Sequence, residues 1–323
     1  MFDPYDDELS PYRIDAVLAI QSHSPPPPLH KREIRQDEMD CSLSLLELCL
    51  RNPPLPGSDG HSFVNIHLIK GLQTGIHKRS QVFVVRCVDT SLSSGLPTDQ
   101  NMIAKFYDPL YHDSDDGNTF KEADYDYSHE CASYMRLSDL QGSVIPRFFG
   151  SYTFTTQIDG HSRLVRLILI EQVNGLPMSP LDPKEFSTEE RQTILKQIID
   201  GESALFAKDV CHRDLCPRNI VIERSGPGRV RAIIIDLGSS VIGRSRNPLD
   251  SAQESRWFPG VPISPLLRWN IYYGYPDDFE DWVDWSWQEW LEFQYKETEP
   301  AITDEQRQRW PVHDWMLEFA SRR

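Results

Sequence analysis

Hydrophobic and polar positions divide the chain into three regimes. Residues 1–60 show almost no regular period and hold nine of the 24 prolines, including Pro25–Pro28 and the cluster Pro53-Pro54-Leu55-Pro56-Gly57. A proline run makes no internal backbone hydrogen bonds and stays extended and solvated. Only Cys41–Leu50 (CSLSLLELCL) is apolar enough to dock as a helix or strand, so the pattern predicts a loosely ordered extension. From His61 the period changes. Phe63–Ile69, Gln81–Val88 and Met102–Tyr107 read as strands, Glu122–Leu140 as a helix, and Arg147–Thr155 and Leu164–Glu171 as two more strands. Strands joined by short connections, with one helix among them, predict an α+β arrangement with an antiparallel sheet. The third regime begins after Asn174-Gly175-Leu176-Pro177. Ser187-x-x-Glu190 has the spacing of a capping box. Ile194, Leu195, Ile198, Ile199 and Leu205 then fall at helical intervals. Two short strands follow, near Ile220–Ile222 and Arg231–Ile235, and then a Pro-rich, aromatic tail that carries all eight tryptophans.

A length of 323 residues and a mass of 37.4 kDa suit about two domains or one bilobal unit. The net charge of −16 makes nucleic acid and membrane surfaces poor candidate partners. Its distribution alters that picture: residues 1–60 carry −6 and residues 276–323 carry −8, so the stretch between them is nearly balanced at −2. A balanced middle is compatible with a polyanionic ligand there. No apolar run approaches the ~20 residues of a membrane-spanning helix, and the acidic first 15 residues lack a signal-peptide core. Six cysteines without a C-x-x-C pair point to a reducing compartment. These features together predict an intracellular, cytoplasmic protein.

The densest chemistry lies in Cys211-His212-Arg213-Asp214-Leu215-Cys216-Pro217-Arg218-Asn219 and in Ile233-Ile234-Ile235-Asp236-Leu237-Gly238. A loop Asp can accept the proton of a substrate hydroxyl, the role read for Asp214. Asn219 offers a neutral oxygen and Asp236 an anionic one to a hard cation such as Mg²⁺, which draws its other ligands from water and phosphate. The first run resembles the H-R-D-L-x-x-x-N catalytic loop of the protein kinase-like superfamily. The second resembles its D-F-G metal motif, with Leu in place of Phe. That resemblance implies a bilobal fold, with a small antiparallel-sheet N-lobe carrying one helix and a larger, shortened, mostly helical C-lobe. It implies ATP and Mg²⁺ as cofactors. It assigns Asp214 as the catalytic base, Asn219 and Asp236 as metal ligands, and Lys105 in Ile103-Ala104-Lys105-Phe106 as the phosphate-binding lysine. The helix partner of Lys105 is read as Glu130, since Glu130, Tyr134 and Leu137 share a face, with Glu122, Asp124 and Asp126 as rivals. Gly71, Gly75 and Val82 stand where a glycine loop would cover the phosphates, although the same stretch also reads as a plain hairpin turn. Glu171 and Val173 stand where the strand linking the lobes would meet adenine.

The chain departs from protein kinases in three respects. Cys216 replaces the lysine usual two residues after the catalytic Asp, while Arg218 resembles the tyrosine-kinase form of the loop. No A-P-E follows Asp236, and only 87 residues remain. The aromatic tail is closer to the C-lobes of small-molecule kinases related to aminoglycoside and choline phosphotransferases. Its tryptophans read as helix packing, or alternatively as a cation pocket. The expected division is an extension over 1–60, an N-lobe over 61–172 and a C-lobe over 173–323. The expected activity is transfer of the ATP γ-phosphate to a hydroxyl on a protein or a small molecule. The alternative is a pseudokinase that serves as a nucleotide-binding or scaffold module. The sequence leaves the acceptor and the oligomeric state open.

Overall fold

The computed structural model describes residues 10–28, 38, 40–76, 78–88, 95–112, 118–158, 160–226, 228–246, 258, 260–271 and 275–311. Much of the expected extension, including 1–9 and 29–37, lies outside these residues, as does the end of the aromatic tail after 311. The fold is mixed α/β, with a large antiparallel sheet and several helices. No helix among the described residues is long and apolar enough to cross a membrane. The chain divides into two compact units, residues 1–142, 146–172 and 237–239 in the first, and 143–145, 173–236 and 240–323 in the second.

The first unit is built on β1 (Val17–Ser24), α1 (Leu45–Arg51), β2 (Ser58–Gln73), β3 (Gln81–Cys87), β4 (Met102–Tyr107), α2 (Thr119–Arg136), β5 (Phe148–Ile158) and β6 (His161–Glu171). The strands are antiparallel neighbours in the order β1-β2-β3-β4-β6-β5, and β5 pairs back onto β1 to close a barrel. Alternate residues point inward. Leu18 and Ile20 of β1 join Ile66, Leu68, Phe83, Val85, Ala104, Phe106, Leu167 and Leu169 in one buried cluster. Helix α2 packs outside, against β4, β5 and β6.

Two expectations are corrected here. The stretch read as a loose extension contributes a barrel strand, β1, while the part of it read as able to dock, Cys41–Leu50, holds most of α1. The sheet is a closed barrel accompanied by two helices, where a small sheet with one helix was expected. The signal in β1 is weak because the strand supplies only two fully apolar inward positions and is followed by Pro25–Pro28. Long-range pairing with β2 and β5 decides its conformation. Before it, the Tyr12 ring packs 5.1 Å from Phe106 and 5.3 Å from Tyr111 and covers one end of the barrel core.

His23 of β1 ties the closing strand to α2. It is 6% exposed, and its Nδ1 lies 2.6 Å from the Tyr127 hydroxyl. Gly57 leaves room for it, since a Cβ there would come within 2.5 Å of His23 Nε2. Burial, assisted by Arg166 of β6 and opposed by Asp59 of β2, lowers the His23 pKa from 6.5 to about 4. The unfolded chain therefore binds this proton more readily, and the stability loss grows as pH falls from about 6.5 to 4. The thermal midpoint of the wild type is expected to drop through this window more steeply than that of His23→Gln. Parallel melting curves for the two proteins would sink this assignment.

The second unit holds β7 (Leu176–Pro177), α3 (Thr188–Ala207), β8 (Val210–Cys211), β9 (Ile220–Gly226), β10 (Arg229–Ile234), β11 (Val241–Ile242), α4 (Pro265–Arg268), α5 (Trp287–Tyr295) and α6 (Asp304–Arg309). Its strands form a sheet of order β10-β9-β7 and a β11-β8 pair. The predicted capping box starts α3: Ser187 N–H donates to Glu190 Oε2 (3.0 Å) and Glu190 N–H to Ser187 Oγ (3.2 Å). All five apolar residues read at helical spacing are fully buried. Arg268 forms a two-bonded ion pair with Glu202, at 2.7 and 2.6 Å, deep in the unit. Trp282, Trp287 and Trp290 are buried in packing contacts, and the cation over Trp285 is the protein's own Arg191, 5.6 Å from the ring. These tryptophans therefore act as core residues.

Candidate functional site

Lys105 and Tyr107 lie two residues apart on β4 and so share one face, the face that α2 covers. Lys105 Nζ stands 2.7 Å from Glu130 Oε2, and the Tyr107 hydroxyl donates to the same oxygen at 2.6 Å. Glu130 is wholly buried, which makes its pairing with Lys105 obligatory. The rival acids lie elsewhere: Asp126 pairs with Arg79, Asp124 accepts from the Leu55 N–H, and Glu122 Oε2 lies 3.9 Å from His112 Nδ1. Tyr107 was not singled out from the sequence; its i+2 position puts it on the face of Lys105 but does not say that its hydroxyl meets Glu130. Val82 pairs in register with Lys105 across β3 and β4.

Gly71 pairs with Phe83 where β2 leads into the turn to β3. Gly75 has a φ of +97°, a conformation in which a side chain is strained. The Gln81 side chain clamps this turn, with Gly75 N–H donating to Gln81 Oε1 (2.7 Å) and Gln81 Nε2 donating to the Gly75 carbonyl (2.8 Å). The Gly75 N–H thus serves the turn itself. Glu171 ends β6; its N–H donates to the Arg147 carbonyl (2.8 Å) and its carboxylate accepts from the Arg147 N–H (3.0 Å). Val173 opens the following stretch, and its carbonyl accepts from Gly175 N–H at 3.0 Å.

In the second unit, a short loop links β8 to β9. A 3₁₀ turn over Pro217–Asn219 fixes its end, with the Asn219 N–H donating to the Cys216 carbonyl at 2.9 Å. Asn219 Nδ2 donates to the Asp214 backbone oxygen (2.7 Å) and to Asp214 Oδ2 (2.9 Å). Arg218 donates to the other carboxylate oxygen, Oδ1. His212 sits beneath the loop, 2% exposed. Its Nδ1 accepts from the Asp214 N–H (3.3 Å) and its Nε2 meets the Ile235 carbonyl (3.0 Å). Burial lowers the His212 pKa, so the ring is neutral and its Nε2 carries the proton. His212 thereby ties Asp214 to the residue before Asp236. A second tie runs from the Ile235 N–H to the Asn219 carbonyl at 2.9 Å. Arg213 and Asp236 hold φ values of +66° and +63°, in the left-handed region that non-glycine residues seldom enter. The structure thus brings Asp214, Asn219 and Ile235, the residue before Asp236, into one hydrogen-bonded cluster.

The Asn219 amide nitrogen is spent on Asp214, so its carbonyl oxygen is the atom that could hold a hard cation, with the Asp236 carboxylate as the second candidate oxygen donor. Among the described residues no group of three or more His, Cys, Asp and Glu can hold a metal by itself, so such an ion relies on substrate oxygens and water for its other ligands. Cys216 is 8% exposed, and burial raises its thiol pKa, which leaves it neutral beside Asp214.

No protein-family model matches the chain. A stretch of 58 residues, 18% of the chain, is 40% identical to a probable serine/threonine-protein kinase MRK1 homolog of Encephalitozoon cuniculi. The stretch covers 17% of that protein's length.

Proposed function

We propose that the protein is an ATP- and Mg²⁺-dependent phosphotransferase with a bilobal protein kinase-like fold, and that it moves the γ-phosphate to a hydroxyl acceptor. The observation that carries this reading is the cluster in which His212 and Asn219 tie the Asp214 loop to Ile235, the residue before Asp236. Asp214 accepts the proton of the acceptor hydroxyl as the new oxygen–phosphorus bond forms and ADP leaves. Asn219 and Asp236 hold Mg²⁺, which supplies charge neutralisation on the phosphates. Lys105, braced by Glu130 and Tyr107, binds the phosphates. Gly71, Gly75 and Val82 border the nucleotide, and Glu171 and Val173 lie where adenine is read. The partial similarity to a protein kinase supports this assignment.

The test is release or transfer of labelled γ-phosphate from ATP in the presence of Mg²⁺. Wild type is expected to turn over, and Asp236→Ala to fall to background. Equal rates in the two proteins over a broad panel of acceptors would refute the enzyme assignment.

A second reading, a nucleotide-binding scaffold without turnover, is favoured by one feature. The Gly75 N–H, a candidate phosphate donor, is committed to Gln81. The two readings separate by thermal shift: Mg²⁺-ATP raises the melting temperature in both, since a ligand bound only by the native state stabilises it, but only the enzyme consumes ATP.

A further inference from the structure

We infer that Arg218 is a positioning residue that selects hydroxyl acceptors carrying an anionic group. The inference rests on the phosphotransferase reading above. In the structure both oxygens of the Asp214 carboxylate are occupied, Oδ1 by the Arg218 guanidinium and Oδ2 by Asn219 Nδ2. Each oxygen keeps a second lone pair, so a hydroxyl can reach Asp214 with both partners in place, but an acceptor that carries its own anion also competes with Asp214 for them.

The two partners are held very differently. Asn219 is 5% exposed, is bonded to Asp214 twice, and sits at the end of a 3₁₀ turn that is itself tied to Ile235. The Arg218 side chain is 64% exposed. The same turn fixes its backbone, but its head reaches Asp214 through solvent. An ion pair this exposed contributes little net stability, so a second anion competes for the guanidinium on nearly even terms. Arg218 is therefore the partner that yields. It yields most readily to an acceptor whose own carboxylate or phosphate can take over the guanidinium and free Oδ1.

The rest of the loop leaves this task to Arg218. From Asp214 to Asn219 it is the sole cation in the sequence. Position 216, two residues beyond Asp214, is a buried thiol that carries no charge. A guanidinium also suits the exchange, since its planar fork binds a carboxylate or phosphate through two parallel hydrogen bonds. An acceptor with a suitably placed anion is thus held by Arg218 beside Asp214. A neutral acceptor reaches Asp214 without that contact.

The anion can belong to a peptide or to a small metabolite, and matched probes distinguish the two. One arm uses a degenerate Ser/Thr/Tyr peptide library with Glu fixed near the hydroxyl, against the same library with Gln. The other uses small hydroxy acids and phosphorylated alcohols against neutral polyols, glycerate against glycerol among them. With wild-type full-length protein and labelled ATP, the anionic member of at least one pair is expected to show a KM about tenfold lower than its neutral twin, the size of a charged hydrogen bond gained. Arg218→Gln should abolish the difference through KM, and Arg218→Lys should restore part of it. A general loss of structure would not produce that pattern. Equal kcat/KM for the twins, a preference that survives Arg218→Gln, or ATP hydrolysis with no anionic probe phosphorylated would each overturn the inference. In those cases Asp236-dependent ATP turnover persists and the phosphotransferase reading stands. Absence of that turnover in wild type defeats the phosphotransferase reading itself.

Discussion

Asp214→Asn is expected to lower ATP-dependent phosphate transfer by about 10²–10⁴-fold, the usual contribution of a positioned general base. The substitution keeps the shape of the side chain and an oxygen for Asn219 Nδ2, but it removes the group that takes the proton. The loop should stay folded. Asp214 is only partly buried, and the ties that hold the loop run through backbone atoms: Asp214 N–H to His212, Asn219 N–H to Cys216 and Ile235 N–H to the Asn219 carbonyl. The expected signature is a loss in kcat with an unchanged melting temperature and an unchanged thermal shift with Mg²⁺-ATP. Asp236→Ala should differ, since it removes a metal ligand and is expected to weaken that shift as well as turnover. An Asp214→Asn protein that transfers phosphate at the wild-type rate would remove Asp214 from the chemistry, whatever its hydrogen bonds.

Much of this site was legible because the residues that carry it are close in sequence. Asp214 and Asn219 are five apart on one loop, and Asp236 ends the apolar run of β10. The pairing of Lys105 with Glu130 bridges 25 positions and was still readable. The resemblance of Ile103-Ala104-Lys105-Phe106 to the kinase lysine strand marked Lys105, and the shared helical face of Glu130, Tyr134 and Leu137 ranked Glu130 above its rivals. Tyr107 escaped because nothing in a local pattern says which hydroxyl meets a buried carboxylate. The clamp of Gln81 on Gly75 escaped for the same reason, since a glutamine beside a turn has no distinctive signature. In the fold, α3 was readable from its capping box and five apolar positions. Strand β1 was not, because its conformation depends on partners 34–50 residues away in β2 and about 130 away in β5. Composition pointed the other way, since prolines dominate the segment after β1 while the strand itself contains none.

The buried pair that Tyr12 of the N-terminal segment contacts gives the largest expected effect on stability. Asp108 and Arg163 form a two-bonded ion pair at 2.7 and 2.6 Å, with side chains 0% and 3% exposed, and the Tyr12 hydroxyl donates to Asp108 Oδ2 at 2.6 Å. Burial raises the Tyr12 pKa well above its usual value, so the phenol stays protonated and remains a donor. Asp108→Ala strands the Arg163 charge in the barrel wall and is expected to destabilise the protein by about 3–5 kcal/mol. Tyr12→Phe keeps the ring packed against Phe106 and Tyr111 and deletes one hydrogen bond to a charged group, for about 1.5–3 kcal/mol. The double replacement Asp108→Leu with Arg163→Met removes both charges and should cost much less than Asp108→Ala alone, since a buried pair repays little more than its own desolvation. Urea unfolding followed by circular dichroism measures all three. If the double variant is as unstable as Asp108→Ala, the loss comes from packing around position 108, and the stranded charge is not its cause.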